Sequence, residues 1–176
     1  MRLTLLLTAA LTLSACTTMA GGMATMATQA AMTDADILQV FMTSNEGEIV
    51  TSQPAVDDSQ NAEVRQFAQD MITMHTEVIQ RATALDLEPR ENQVSLSMRQ
   101  NATAKAAQID RASGAAQDVT YMETQVVLHG HTRDMLMNVL IPNARDPQLK
   151  ALLTQSLPMV EEHLRRAQRI HHGMMM

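Results

Sequence analysis

The sequence is poor in aromatic residues and in cysteine. Its 176 residues include two Phe, one Tyr, no Trp and a single Cys, so a disulfide within the chain is excluded. The 19 acidic residues outnumber the 13 basic ones and give a formal charge of -6, which argues against the basic surface that nucleic acids require. The scarcity of aromatic rings also removes the platforms on which single-stranded nucleic acids stack. Nucleic-acid binding is therefore excluded as a predicted function.

Sequence motifs of catalysis are missing as well. The chain has no G-x-S-x-G elbow, no H-E-x-x-H pair and no Gly-rich phosphate loop. A di-metal redox bundle would need Glu-x-x-His on two helices, but Ile72 stands three residues before His75 and Val160 three before His163. The prediction is that the protein is not an enzyme, and a di-metal redox centre is disfavoured.

The first residues have the pattern of an export signal. Arg2 is followed by an apolar run over residues 3–13, which is about half of the 20 residues that a membrane-spanning helix needs. The segment Leu13-Ser14-Ala15-Cys16 resembles the bacterial lipobox, and this resemblance implies that Cys16 is acylated and becomes the new N-terminus. The alternative is an ordinary secretory signal in which the cysteine stands by chance.

This interpretation of the N-terminus predicts the organisation of the chain and its location in the cell. We expect a signal peptide over 1–15, a lipidated Cys16 with a flexible tether over 16–32, a helical bundle over 33–171 and a flexible tail over 172–176. Cleavage would remove Arg2 and leave 12 basic against 19 acidic residues, a charge of -7. The lipid would hold the domain to a membrane on the periplasmic side of the envelope. Residue 17 is Thr rather than Asp, and by resemblance to the sorting rules of enteric bacteria this favours the outer membrane.

Helical spacing dominates the rest of the sequence, and no segment alternates apolar and polar residues over a strand's length. The domain is therefore predicted to be all-α. Thr33 caps the first helix, and Pro54 is predicted to end it near residue 53. The other predicted helices span about 60–86, 94–112, 116–141 and 147–171, with a kink at Pro158.

One histidine falls on the inward stripe of each of three predicted helices: His75 on the second, His129 on the fourth and His163 on the fifth. If the last two helices form a hairpin that turns near residue 144, the heights of their histidines differ by roughly 5 Å. His75 joins them if the second and fifth helices are suitably aligned. Glu48 lies on the inward face of the first predicted helix, about 8 residues before the turn that joins it to the second helix. His75 lies about 19 residues after the same turn, so the two residues are expected at different heights along the bundle. Glu48 is therefore predicted to stand outside the histidine site.

These residue types are those of a metal site. Neutral imidazole binds Cu, Zn, Ni or Fe, and thioether sulfur selects Cu(I), so copper is the predicted cofactor if one is bound. The methionines within a turn or two of the histidines are Met71, Met74, Met122 and Met159. The alternative is that methionine fills the core, as an adaptable side chain among the 16 in the sequence, and that the histidines are hydrogen-bonded core residues.

Two further groups of possible ligands lie outside this set. His171, His172 and Met174 near the C-terminus offer a weak capture site for Cu or Ni, unless the end of the chain is simply frayed. His131 is two residues from His129 and is predicted to point to solvent.

The chain from about Asp34 to Ile170 resembles an exported, ferritin-like bacterial family called domain of unknown function 4142. The residues that carry the resemblance are Asp34 with Gly47-Glu48-Ile49, Val64-Arg65-Gln66-Phe67-Ala68 with Met71 and His75, Tyr121 with His129, and Leu157-Pro158 with His163-Leu164. The family usually has Asp before the first two of these histidines, where this chain has Met74 and Leu128. The resemblance implies a four-helix bundle of helices one, two, four and five with the third as a long crossover, and it implies no established activity.

The predicted function is a lipid-anchored, non-catalytic periplasmic bundle that binds a soft or borderline metal such as copper through inward histidines. The alternative is a structural or stress-related envelope module that binds another protein and no metal. Convergence of the three imidazoles is the observation that separates the two.

Overall fold

The computed structural model describes residues 32–176, so the predicted signal peptide, the lipidation of Cys16 and nearly all of the tether lie outside the described residues. The described part contains five long helices and no strand, which confirms the all-α prediction. The helices are α1 (Asp34–Asp58), α2 (Ala62–Thr83), α3 (Gln93–Arg111), α4 (Ala115–Met135) and α5 (Pro147–Met174). The chain continues from α4 through a π-helical turn, Leu136–Leu140, and one α-turn, Ile141–Asn143. None of the described helices has the length and apolar character to cross a membrane.

Two predicted boundaries are wrong. Helix α1 runs through Pro54 to Asp58, since proline removes only the one hydrogen bond to the Val50 carbonyl, at a residue that is itself 45% exposed. Helix α5 continues to Met174, so most of the predicted tail over 172–176 is helical. The extension of α1 moves the turn between α1 and α2 to residues 59–61.

Side-chain caps fix the ends of the helices. At the start of α1, Thr33 and Asp36 form a capping box, and Arg90 donates to both Asp36 oxygens at 2.9 and 2.6 Å. The Asp34 carboxylate accepts the backbone amides of Arg145 and Asp146 at 2.8 and 3.1 Å, which ties the start of α1 to the turn before α5. These contacts set the relative heights of α1 and α5.

Helices α1, α2, α4 and α5 form the four-helix bundle, in which α1 packs on α2 and α4 packs on α5. Helix α3 is the crossover between α2 and α4 and lies along α1, where it also touches α4. The close approach of α1 and α3 depends on Gly47, since a Cβ there would come within 3.2 Å of the Ala102 Cβ. The predicted arrangement of four bundle helices and one crossover is confirmed.

The core consists of two apolar clusters with polar residues between them. The first apolar cluster contains Ile37, Leu38, Val40, Phe41, Val78, Ala82, Leu136, Leu140, Ala144, Leu149, Leu152, Leu153 and Val160. The second apolar cluster contains Ala55, Val64, Phe67, Ala68, Met71, Ile109, Tyr121, Met122, Ala167 and Ile170. On each bundle helix, buried polar residues separate the two clusters. We call them the polar belt: Asn45, Glu48, Thr51, His75, Gln125, His129 and His163.

Candidate metal centre

The three predicted histidines meet in the polar belt. His75 follows Met71 by one turn of α2, His129 follows Met122 by two turns of α4, and His163 stands between Val160 and Ala167 on α5. The ring centroids are 5.8 Å apart for His75 and His129, 5.4 Å for His75 and His163, and 5.3 Å for His129 and His163. One nitrogen from each ring lies within 4.8 Å of the others, and all three residues are buried. The predicted convergence is therefore present.

The orientation of His75 is held by an asparagine on α1. The Asn45 Nδ2 donates to the Phe41 carbonyl at 2.7 Å, so its Oδ1 is left to accept from His75 Nδ1 at 2.8 Å. His75 therefore carries its proton on Nδ1 and a lone pair on Nε2. That Nε2 is buried and has no hydrogen-bond partner in the described part of the protein.

His129 has the same tautomer for a different reason. Its Nδ1 lies 3.0 Å from the Gln125 carbonyl oxygen one turn earlier in α4, and a carbonyl can only accept, so Nδ1 carries the proton. The Nε2 of His129 is again buried without a partner among residues 32–176. Histidines that bind metals almost always hold one ring nitrogen in this way and offer the other to the ion.

His163 differs from the other two because neither of its ring nitrogens has a partner in the described protein. Near it, Arg166 pairs with Asp70 at 2.6 Å and also covers the Phe67 ring with its guanidinium 5.2 Å from the centroid. The pair links α5 to α2, and both of its charges influence the pKa of His163. Among these three rings, His163 is the one whose tautomer is not fixed by a hydrogen bond within residues 32–176.

The three imidazoles are neutral at pH 7. Burial lowers the pKa of His129 to about 4. Burial, together with the charges of His129 and Arg166, lowers the pKa of His163 to about 4 as well. For His75, burial is the main cause and the two neighbouring histidines add to it, so its pKa also lies well below the usual range. Neutral imidazole is the form that binds metal ions.

Glu48 belongs to the polar belt, which corrects the prediction that it stands at another level. Its Oε1 lies 3.7 Å from His129 Nδ1, and its side chain is 3% exposed. The prediction failed because it ended α1 near residue 53. With α1 reaching Asp58 and α2 beginning at Ala62, Glu48 is 10 residues and His75 13 residues from that turn, a difference in height of only ~4.5 Å.

The protein does little to stabilise a charge on Glu48. Burial raises its pKa to about 8, against a smaller opposite effect of a hydrogen bond from Gln125. The Gln125 amide also lies 3.2 Å from Thr51 Oγ1, which itself donates to the Gly47 carbonyl at 2.9 Å. Glu48 Oε2 has no hydrogen-bond partner in the described residues. At pH 7 its carboxyl is therefore mostly protonated.

The four predicted methionines lie in different surroundings. Met71 and Met122 are fully buried in the second apolar cluster, and Met159 packs against the first. Met74 is 37% exposed and lies on the outer face of α2. The thioethers that accompany the histidines on their inward faces are therefore Met71 and Met122.

The predicted C-terminal ligands lie on the last turns of α5. His171 Nε2 is 3.6 Å from the Glu123 Oε1 of α4, His172 is exposed, and Met174 packs against the second apolar cluster. His131 is exposed, as predicted. The C-terminal residues are thus partly fixed by packing, in contrast to the predicted free end.

Two functional neighbours were missed from the sequence. Glu48 was assigned to the wrong level, and Asn45 was not considered, although it follows the core residue Phe41 by one turn and shares its inward face. Its contact with His75 depends on how α1 and α2 are rotated against each other. That rotation is not encoded in the spacing of either helix alone.

The fold and this cluster together define an all-α bundle with a polar, histidine-containing layer across its core. The family model described as "Domain of unknown function (DUF4142)" matches residues 20–170. The chain belongs to that family. Comparisons with curated proteins and with solved structures gave no match.

Proposed function

We propose that this protein is a lipid-anchored, non-catalytic envelope protein whose bundle binds one transition-metal ion, such as copper, through His75, His129 and His163. The observation that carries the proposal is the state of the three rings. They are buried and neutral, two of them hold Nδ1 in a hydrogen bond, and all three leave Nε2 without a partner in the described protein. This is the arrangement of donors that a metal ion requires.

The geometry fits such an ion after a small contraction. Metal–nitrogen bonds of about 2.0–2.1 Å place the nitrogens of a three-coordinate or tetrahedral site ~3.4 Å apart. One ring nitrogen from each histidine lies within 4.8 Å of the other two, so each pair must close by ~1.4 Å at most. His163 has no hydrogen bond to break and is the ring that can move most easily.

The donor set also narrows the choice of ion. Imidazole nitrogen suits Cu, Zn, Ni and Fe, whereas Ca²⁺ and Mg²⁺ prefer sets of oxygen ligands. Met71 and Met122 on the same inward faces favour copper among these, because thioether sulfur is a soft ligand. Glu48 approaches His129 from its Nδ1 edge, so it is a neighbour of the ligand set.

The alternative of a purely structural histidine cluster is less favourable in physical terms. A buried polar atom without a hydrogen bond costs about 1–3 kcal/mol, and four imidazole nitrogens of this cluster are in that state. A metal ion removes the cost for those that it binds. The envelope location rests on the export pattern over 1–16 and on Cys16, whose full lipoprotein modification would supply the several acyl chains that stable anchoring needs.

The test is a calorimetric titration of the full chain with Cu(I), Cu(II), Zn(II) and Ni(II), with Cys16→Ser removing the lipid and the only thiol. We expect one ion per chain. The His163→Leu variant should bind at least about 100-fold more weakly, because one ligand is lost and no other side chain is left without its partner. His131→Leu, on the exposed face of α4, is the matched control and should bind as the parent does.

Absence of binding by the folded parent chain would overturn the metal proposal. Equal affinities of the His163→Leu variant and the parent would place the ion elsewhere, with His171 and His172 as the next residues to replace. If no metal binds, the protein would be an envelope interaction module, and the next experiment would be a search for protein partners.

A further inference from the structure

A groove with a volume of about 560 Å³ opens between α1, α3 and α4. Its walls are mainly apolar and include Val94, Met98, Val127, Leu128 and Met135. The volume is within the range of about 300–1,000 Å³ that small-molecule sites occupy. Val94 and Val127 are 45% and 49% exposed, so part of the apolar wall is in contact with water. A ligand that covers this wall with apolar surface gains free energy from its burial.

The groove follows α3. Gly47 and Ala102 bring α1 and α3 together, and the residues of α3 that line the groove extend from Gln93 to Lys105. At 1.5 Å per residue this wall is ~18 Å long. A long groove with apolar walls suits one extended hydrocarbon chain.

The groove has a cationic side chain at one end. Lys105 is the last residue of α3 that lines it and is half-buried. Every ion pair among residues 32–176 is formed by an arginine or a histidine, so Lys105 has no acidic partner there. Ser44 and Glu48 lie in the floor and are only 8% and 3% exposed, so a ligand meets little of either. The groove therefore offers a ligand an unpaired positive charge beside apolar walls.

We propose that this groove binds a fatty acid, with the carboxylate accepting a hydrogen bond from Lys105 Nζ and the alkyl chain lying along Met98, Val127 and Met135. Burial of the alkyl chain supplies most of the affinity, and the charge-assisted hydrogen bond selects the headgroup. The site uses none of the three histidines of the metal centre, so it is independent of the metal proposal.

Other headgroups fit the groove less well. An ammonium group would meet the like charge of Lys105, and a hydroxyl group would leave that charge without a counter-ion. The formal charge of the whole chain is -6, so unspecific attraction would favour a cationic amphiphile over an anionic one. A preference for the carboxylate would therefore oppose the net charge and indicate a local interaction.

The first test is calorimetry of the full chain with Cys16→Ser, kept free of metal by a chelator, at pH 7 and about 0.15 M salt. The probes are decanoate, 1-decanol and decylamine, each below the concentration at which it aggregates. We expect decanoate to bind about threefold to tenfold more tightly than decanol, and decylamine to bind most weakly. Lys105→Gln should remove the difference between decanoate and decanol. Lys150→Gln is the matched control on the exposed face of α5 and should leave it intact.

The position of the headgroup can be tested directly, because Lys105 and Lys150 are the two lysines of the sequence. Acetylation of the chain with a mild amine-reactive reagent, followed by mass spectrometry, measures the reactivity of each. Decanoate should protect Lys105 and leave Lys150 reactive. Decanol should protect Lys105 less than decanoate does at equal occupancy of the groove. Equal reactivity of Lys105 with and without decanoate would overturn the proposal.

A further variant tests the position of the alkyl chain. Val127→Gln replaces an exposed apolar wall residue and should weaken decanoate and decanol alike by about threefold. Val139→Gln, at a residue that is 39% exposed and lies outside the groove, is its control. Equal affinities of the parent for decanoate and decanol, or no effect of Val127→Gln on either, would overturn the proposal. Because metal is absent throughout, these outcomes are distinct from failure of the metal site.

Discussion

The two apolar clusters and the polar belt are built on the same four helices but have opposite energetics. In the clusters, side chains such as Phe41, Leu153 and Phe67 are removed from water and packed against apolar neighbours, which stabilises the fold. In the belt, imidazole nitrogens and a carboxyl oxygen are removed from water without partners in the described protein, which costs stability. The difference indicates that the clusters hold the bundle together and that the belt is kept for another purpose.

The largest expected effect is the response of the metal-free chain to acid. His129 and His163 have a pKa of about 4 in the fold and 6.5 when unfolded, so between these values the unfolded chain binds protons that the folded chain does not. The free energy of unfolding should fall as the pH drops from 6.5 to 4, by roughly 3 kcal/mol for each of the two at most. His75 adds to this in the same direction. Urea unfolding in the presence of a chelator at pH 4–9 measures it.

Glu48 should produce the opposite slope on the alkaline side. Its pKa is about 8 in the fold and 4.5 when unfolded, so the folded chain holds the extra proton and loses stability as the pH rises from 4.5 to 8. The four groups together place the maximum stability near pH 6.5. Glu48→Gln should flatten the alkaline limb and make the acidic limb steeper between pH 4.5 and 6.5, where Glu48 opposes the histidines. A profile that is level from pH 4 to 8 would contradict the energetics assigned to the belt.

The next largest effect is expected from a cavity in the first apolar cluster. Leu153 is fully buried, and Leu153→Ala should lower the free energy of unfolding by about 2–5 kcal/mol, since packing contacts are lost and a cavity remains. Urea unfolding at pH 6.5 measures the change, with Leu96→Ala on the exposed side of α3 as the control. A loss below ~1 kcal/mol would mean that the cluster does not carry the stability assigned to it.

The periodicity of the sequence was sufficient to predict that the three histidines and most of the apolar clusters face the core. The stripes of α2 and α5 are almost entirely buried as predicted, because both helices have one continuous apolar face that can turn only toward the core. The predicted level of Glu48 was wrong, because Pro54 was taken as a helix end, whereas α1 continues through it to Asp58. Local sequence rules do not show whether water can reach a particular carbonyl.

The packing of α3 against the bundle could not be predicted. Helix α3 buries only Ser95, Ala102 and Ile109, a narrow face with one large apolar residue, which does not specify the helices that α3 covers. Its position depends on the close approach at Gly47 and on Asn92, which caps α3 and also donates to the Asp36 carbonyl of α1.

The smallest expected effect is a gain in stability, whereas Leu153→Ala lowers stability. It is the sharpest test of the difference between the apolar clusters and the polar belt. His163 is buried with two ring nitrogens that lack partners in the described protein, so His163→Leu should raise the free energy of unfolding of the metal-free chain by roughly 1–3 kcal/mol. His131→Leu on the solvent side of α4 should change it by less than ~0.5 kcal/mol. With metal added, the order should reverse, because only the parent and the His131 variant gain stability from a bound ion. A loss of stability in the metal-free His163→Leu chain would mean that the imidazole contributes to packing and that the belt is structural. A gain, reversed by metal, would show a residue that lowers stability in order to bind an ion.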